Sequence, residues 1–174
     1  MRPGLKFQKP TWSKQLSKLK IYIIAVGKIK DKIIDAKINQ YLKELRHISG
    51  KGIEIRLKQV PDGKSSAVEL KKKEEAEKIL EALPSRSYLL VMDERGEELT
   101  SMEFARMIER ITEQGKELIL VLGGAYGLDD KVKEKADKVI ALSKLTFPHE
   151  LARLILAEQL YRAFAIIKRT HYHH

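Results

Sequence analysis

Short, almost uninterrupted apolar runs alternate with amphipathic stretches along nearly the whole chain, and this alternation limits the architecture more than any other feature. Apolar runs fill residues 21–26, 88–92, 117–122 and 138–142, with a more polar run at 53–60. Unbroken apolar runs of this length suit strands covered on both faces, as in parallel sheets. Between them the period changes. Asp31 opens a stretch with Ile34, Ile38, Tyr41, Leu42 and Leu45 at helical spacing, stopping near Gly50 and Gly52. Residues 66–82 read as a Lys/Glu-rich helix with Pro84 beyond its end. Thr100 and Glu103 have the spacing of a capping box and start a helix that runs to Gln114 and Gly115. Residues 129–137 form a short charged helix and 150–168 a final long one. Five strands alternating with helices predict an α/β fold with a mostly parallel sheet and helices on both faces, the polar 53–60 strand lying at an edge.

The first nineteen residues stand apart: they hold Pro3, Gly4 and Pro10, follow no clear period, and read as a tail on one domain spanning residues 20–174. The formal net charge is +10, and Arg2, Lys6, Lys9, Lys14, Lys18 and Lys20 supply six of it, leaving +4 for residues 21–174. Such a segment reads equally as a basic arm for RNA phosphate or as an extension without that role. The absence of cysteine excludes a disulfide framework, a thiolate zinc site and a cysteine nucleophile. No apolar run approaches the roughly 20 residues of a membrane span, so a cytoplasmic location is expected.

Ligands of open α/β sheets sit beyond the carboxyl ends of the strands, and three such ends are unusual here. They are residues 92–96 (Met-Asp-Glu-Arg-Gly), 122–128 (Leu-Gly-Gly-Ala-Tyr-Gly-Leu) and 142–149 (Leu-Ser-Lys-Leu-Thr-Phe-Pro-His). Gly123, Gly124 and Gly127 allow a sharp turn or the close approach of a flat ligand. A dinucleotide fingerprint would space its glycines differently and occupy the first strand-to-helix turn, so a nicotinamide enzyme is disfavoured. Pro148 suits the first position of the final helix.

That final helix is apolar on nearly all sides, with Leu151, Leu154, Ile155, Leu156, Leu160, Tyr161, Phe164 and Ile167. A helix of this kind is buried all round, and near a chain end a second subunit supplies the cover. Glu158 and Arg162 are four apart on it, at the spacing of a salt bridge that apolar neighbours would partly desolvate. Four of the five histidines, His149, His171, His173 and His174, lie at the carboxyl end of the chain. No carboxylate or cysteine stands at a spacing that completes a metal site with them, so RNA contact is the preferred reading and no metal is expected.

Together these segments resemble the ribosomal RNA large subunit methyltransferase H family of the SPOUT superfamily. The likeness is carried by Ala25-Val26-Gly27-Lys28, the 122–128 turn, the 142–149 segment, Glu158-Gln159-Leu160-Tyr161-Arg162-Ala163 and Tyr172-His173, in order from about Lys20 onward. The resemblance implies a SPOUT fold with a C-terminal trefoil knot, a homodimer, and methyl transfer from S-adenosylmethionine to N3 of a pseudouridine in 23S rRNA on the assembled ribosome. By motif it places Met92, Gly123, Leu142, Ser143, Lys144, Leu145, Thr146 and Phe147 around the cofactor. It implies catalytic roles for Arg162, His173 and His149, and RNA contacts for Arg162, Arg169, Tyr172 and His173. Two departures stand out: the basic extension has no counterpart in the family, and Thr170-His171 replaces the usual pair before Tyr-His. The competing readings are a SPOUT enzyme acting on tRNA and a non-catalytic RNA-binding or ribosome-associated protein.

Overall fold

The computed structural model describes residues 19–170; Tyr172, His173 and the basic extension up to residue 18 lie outside the described residues. Five strands form one sheet in the order β2-β1-β4-β3-β5, every pairing parallel. The strands are β1 (Leu19–Val26), β2 (Ile53–Val60), β3 (Ser87–Glu98), β4 (Glu117–Leu122) and β5 (Lys138–Ala141). Five α-helices connect or follow them: α1 (Lys32–Ser49), α2 (Val68–Glu81), α3 (Ser101–Glu113), α4 (Asp130–Glu134) and α5 (His149–Ile167).

Alternate strand residues feed two cores. Ile21, Ile23, Leu90, Leu118 and Leu120 meet α1, α3 and α5 on one face. Ile24, Val91, Ile119 and Val121 meet α2 and α4 on the other. The expected α/β architecture with helices on both faces is what forms, and the polar β2 lies at an edge. It buries only Ile55 in one core and Val60 in the other, leaving Arg56, Lys58 and Gln59 exposed.

Local chemistry sets the boundaries. Asp31 accepts the N–H groups of Ile33 and Ile34 and starts α1, and Thr100 and Glu103 form a complete capping box for α3. Two expectations need correction. Pro148 stands at the N-cap of α5 with ψ 139°, one place before the expected first helical position; its extended backbone carries the preceding loop over the strand ends. β3 is longer than its apolar run, continuing through polar residues to Glu98 because Glu97 and Glu98 pair with β5 after an excursion at 93–96. Ile140 therefore faces both Met92 and Glu97. Gly96 lies so close to the Ile140 backbone that a Cβ would fall 2.5 Å from its carbonyl carbon, which explains a glycine there.

Candidate functional site

The three unusual strand ends converge. The excursion after Met92, the turn after Leu122 and the loop after Ala141 line one open cleft of about 780 Å³ with the first turn of α5. Its floor is apolar: Met92, Leu122 and Leu128 are buried. Of the residues expected around a cofactor, Met92, Gly123, Leu142, Ser143, Leu145, Thr146 and Phe147 all line it, as does His149. Lys144 does not; its ammonium lies 3.3 Å from Glu98 and its side chain is 82% exposed.

The walls are tied together by side chains. Glu94 Oε2 accepts the Thr146 hydroxyl at 3.0 Å, joining the β3 excursion to the loop after β5. Gly124 and Gly127 form an isolated antiparallel bridge that closes the glycine turn. A Cβ on Gly123 would lie 2.7 Å from the carbonyl carbon of Gly127, so the turn closes only around a glycine. In the 144–147 stretch, the one backbone N–H with a partner among the described residues is that of Leu145, held by Ser143 Oγ at 3.0 Å. Amides of this loop are therefore available to a ligand.

The charges at the rim are mixed. Asp93 lies 3.5 Å from Lys133, whose ammonium also meets Asp130 at 2.8 Å. The Asp130 hydrogen bond, aided by the charge of Asp93, raises the Lys133 pKa against the opposing effect of burial. His149 Nε2 is 3.9 Å from Glu150 Oε1, at the junction of cleft and helix.

Arg162 sits elsewhere. Its Nε and Nη2 meet Glu158 Oε1 at 2.9 and 2.5 Å, and both side chains are largely covered, as the four-residue spacing implied. Thirteen residues separate it from His149, about 20 Å along a helix rising 1.5 Å per residue. Within one chain the two side chains do not share the cleft. Arg169 lies just past the end of α5 with φ 56°.

The sequence reading missed Arg153. It is 2% exposed, and its Nη1 donates to the Gly27 carbonyl at 2.9 Å while Nη2 donates to that of Val26. Nε has no partner among the described residues. Burial pushes its pKa down, and the nearby carboxylates Glu150 and Asp62 act in the opposite sense. Glu150 accepts the N–H groups of Lys30 and Asp31 at 3.0 and 3.1 Å. These amides hold its carboxyl below the usual range. The first turn of α5 thus has two faces: His149 and Ala152 line the cleft, while Glu150 and Arg153 grip the end of β1 and the loop after it. A lone charge inside Leu-Ala-Arg-Leu-Ile-Leu-Ala was the available signal.

An open cleft at the carboxyl ends of parallel strands, walled by a glycine turn and unpaired loop amides, defines a cofactor-binding α/β protein. Residues 19–173 match the family described as predicted SPOUT methyltransferase, and the chain belongs to that family. Among its relatives, "Ribosomal RNA large subunit methyltransferase H" of Caldicellulosiruptor saccharolyticus is 41% identical over 88% of this chain and 99% of its own length. The protein of the same name from Acetivibrio thermocellus is 44% identical over 89% of this chain and 99% of its own. Among solved structures, a probable methyltransferase from Bordetella pertussis Tohama I superposes with a TM-score of 0.48 at 12% identity, covering 85% of this chain and 95% of that one.

The protein is an S-adenosylmethionine-dependent methyltransferase. The cleft fits that group: an apolar floor for a flat base and loop amides for its polar edges, beneath a rim of mixed charge.

Proposed function

We propose that the protein methylates N3 of a pseudouridine in 23S rRNA on the assembled ribosome and works as a homodimer. The observation that carries the rRNA reading is the end-to-end match to the large subunit methyltransferase H relatives, which this chain covers over 99% of their length.

Bound S-adenosylmethionine supplies an activated methyl group on a cationic sulfur. The residues of this chain do the rest by placement, since holding an acceptor nitrogen in line with the methyl carbon supplies most of the rate gain. The 142–147 loop and the glycine turn orient the cofactor from one side, and Glu94 fixes the loop through Thr146. The N3–H of a uracil-like ring lies between two carbonyls and is weakly acidic, and a neutral imidazole beside it would accept that proton. His149, at the cleft, and His173 are the histidines proposed for that role. Arg162 is proposed to hold the uracil edge or a phosphate, and Arg169, Tyr172 and His173 to contact RNA.

The distance between His149 and Arg162 along α5 favours a two-chain site, in which Arg162 serves the cleft of a second copy. Leu151 on α5 is 37% exposed, and Leu154 and Ile155 are only half-buried, which supports an apolar partner for that helix.

Transfer of labelled methyl into purified ribosomes, followed by mapping of the labelled base, tests the proposal. One labelled pseudouridine in 23S rRNA is expected; label in tRNA, or none in ribosomes, overturns it. Rates of Arg162→Ala and His173→Ala variants within twofold of wild type would remove both residues from the site.

A further inference from the structure

The loop between β1 and α1 and the first residue of α1 present Lys28, Lys30 and Lys32 at alternate positions, all three exposed. None lies within salt-bridge distance of a carboxylate among the described residues. Of the carboxylates nearby, Asp62 lies against Gly27 and Asp35 accepts from Asn39, neither within salt-bridge distance of the three lysines, while Asp31 and Glu150 face the backbone. Asp31 Oδ1 accepts the Ile33 and Ile34 amides at 2.8 and 3.1 Å, and Glu150 accepts those of Lys30 and Asp31. From beneath, Arg153 holds the carbonyls of Val26 and Gly27. The loop backbone is pinned while its ammonium groups face solvent.

The arrangement differs from the other lysine-rich segment. Helix α2 carries Lys71, Lys72, Lys73 and Lys78 against Glu69, Glu74, Glu75, Glu77 and Glu81, so its cations are offset within the helix. The 27–32 stretch has three lysines against Asp31 alone. It also adjoins the cleft, because Glu150, which pins it, follows the cleft residue His149.

We infer that Lys28, Lys30 and Lys32 form a fixed contact for the phosphate backbone of the RNA substrate, set beside the cofactor cleft. The inference rests on the rRNA reading above. A pinned strip loses little conformational freedom when it meets an equally spaced polyanion, and neutralising each phosphate releases condensed counterions. Binding through it is therefore steeply salt-dependent.

The test compares wild type with a Lys28→Gln/Lys30→Gln/Lys32→Gln variant in steady-state methylation of ribosomes across a salt series. A Lys43→Gln/Lys58→Gln/Lys73→Gln variant removes the same charge from exposed positions elsewhere. The strip variant is expected to raise KM at least tenfold and to lower the logarithmic salt slope by about 2, at roughly 0.7–0.9 per phosphate contact. Its kcat and its calorimetric Kd for S-adenosylmethionine should stay within twofold of wild type, and the control variant should keep KM within threefold. An unchanged KM and slope, or an equal loss in the control, overturns the inference and leaves the strip a solvated surface. Failure of wild type itself to methylate ribosomes would instead overturn the rRNA reading and this inference with it.

Discussion

Arg153 and Gly27 lie 126 positions apart in sequence, yet the arginine Nη1 is 2.9 Å from the glycine carbonyl oxygen. This contact joins the helix that closes the cleft to the end of the interior strand β1. Replacing Arg153 by Met strands two carbonyls but also removes a buried charge, so the losses are partly offset. Arg153→Met should cost about 2 kcal/mol, seen as a lower urea midpoint at an unchanged m value.

Glu150 gives the same junction a pH dependence. Its carboxyl is held below its ordinary value by the amides of Lys30 and Asp31, so its contribution is complete above the unfolded pKa and disappears as pH falls through the lower folded one. Wild type should be more stable than Glu150→Gln above about pH 5, with the two converging in acid. Urea titrations at several pH values check this; a gap that widens toward low pH would contradict it.

Gly123 and Gly52 offer a matched pair of alanine substitutions. A Cβ on Gly123 meets the Gly127 carbonyl group, with its oxygen at 2.8 Å, whereas one on Gly52 meets nothing within 4 Å. Gly123→Ala should weaken S-adenosylmethionine binding at least tenfold, about 1.4 kcal/mol or more, by opening the turn. Gly52→Ala should leave affinity unchanged and stability within about 1 kcal/mol. Calorimetry with the cofactor and thermal melts separate the two.

Thr146→Val removes the hydroxyl that Glu94 accepts without changing the loop's bulk. One such hydrogen bond is worth about 1 kcal/mol, so cofactor affinity should fall about fivefold with the melting temperature almost unmoved. An unaltered Kd would show that the loop holds its shape without this tie.

The sequence pattern was most informative where burial dictates residue type. β4 begins and ends where its run does, because a covered parallel strand tolerates few polar residues. The cleft was legible as three odd strand ends, since glycine turns and Phe-Pro junctions leave marks in sequence. The later part of β3 was not, because Asp-Glu-Arg-Gly-Glu-Glu reads as a loop, and its partners, in the backbone pairing and in the Glu97–Lys138 ion pair, lie on a strand far away in sequence. Lys144 shows a related limit: sequence position puts a residue in a loop but does not say which way its side chain points, and this one turns to Glu98. Arg153 escaped notice because an arginine on a helix is ordinarily a surface residue; its role exists only where β1 ends.

Consider, finally, the pairing of Ile21 with Leu118. All neighbouring strands are parallel, so no hairpin forms early, and β1 is made long before β4 can cover its inner edge. During synthesis that apolar edge waits for residues nearly a hundred positions downstream, which is the circumstance in which nascent chains aggregate or recruit chaperones. A chain truncated before residue 117 should be insoluble when expressed alone, despite its abundance of lysine and glutamate.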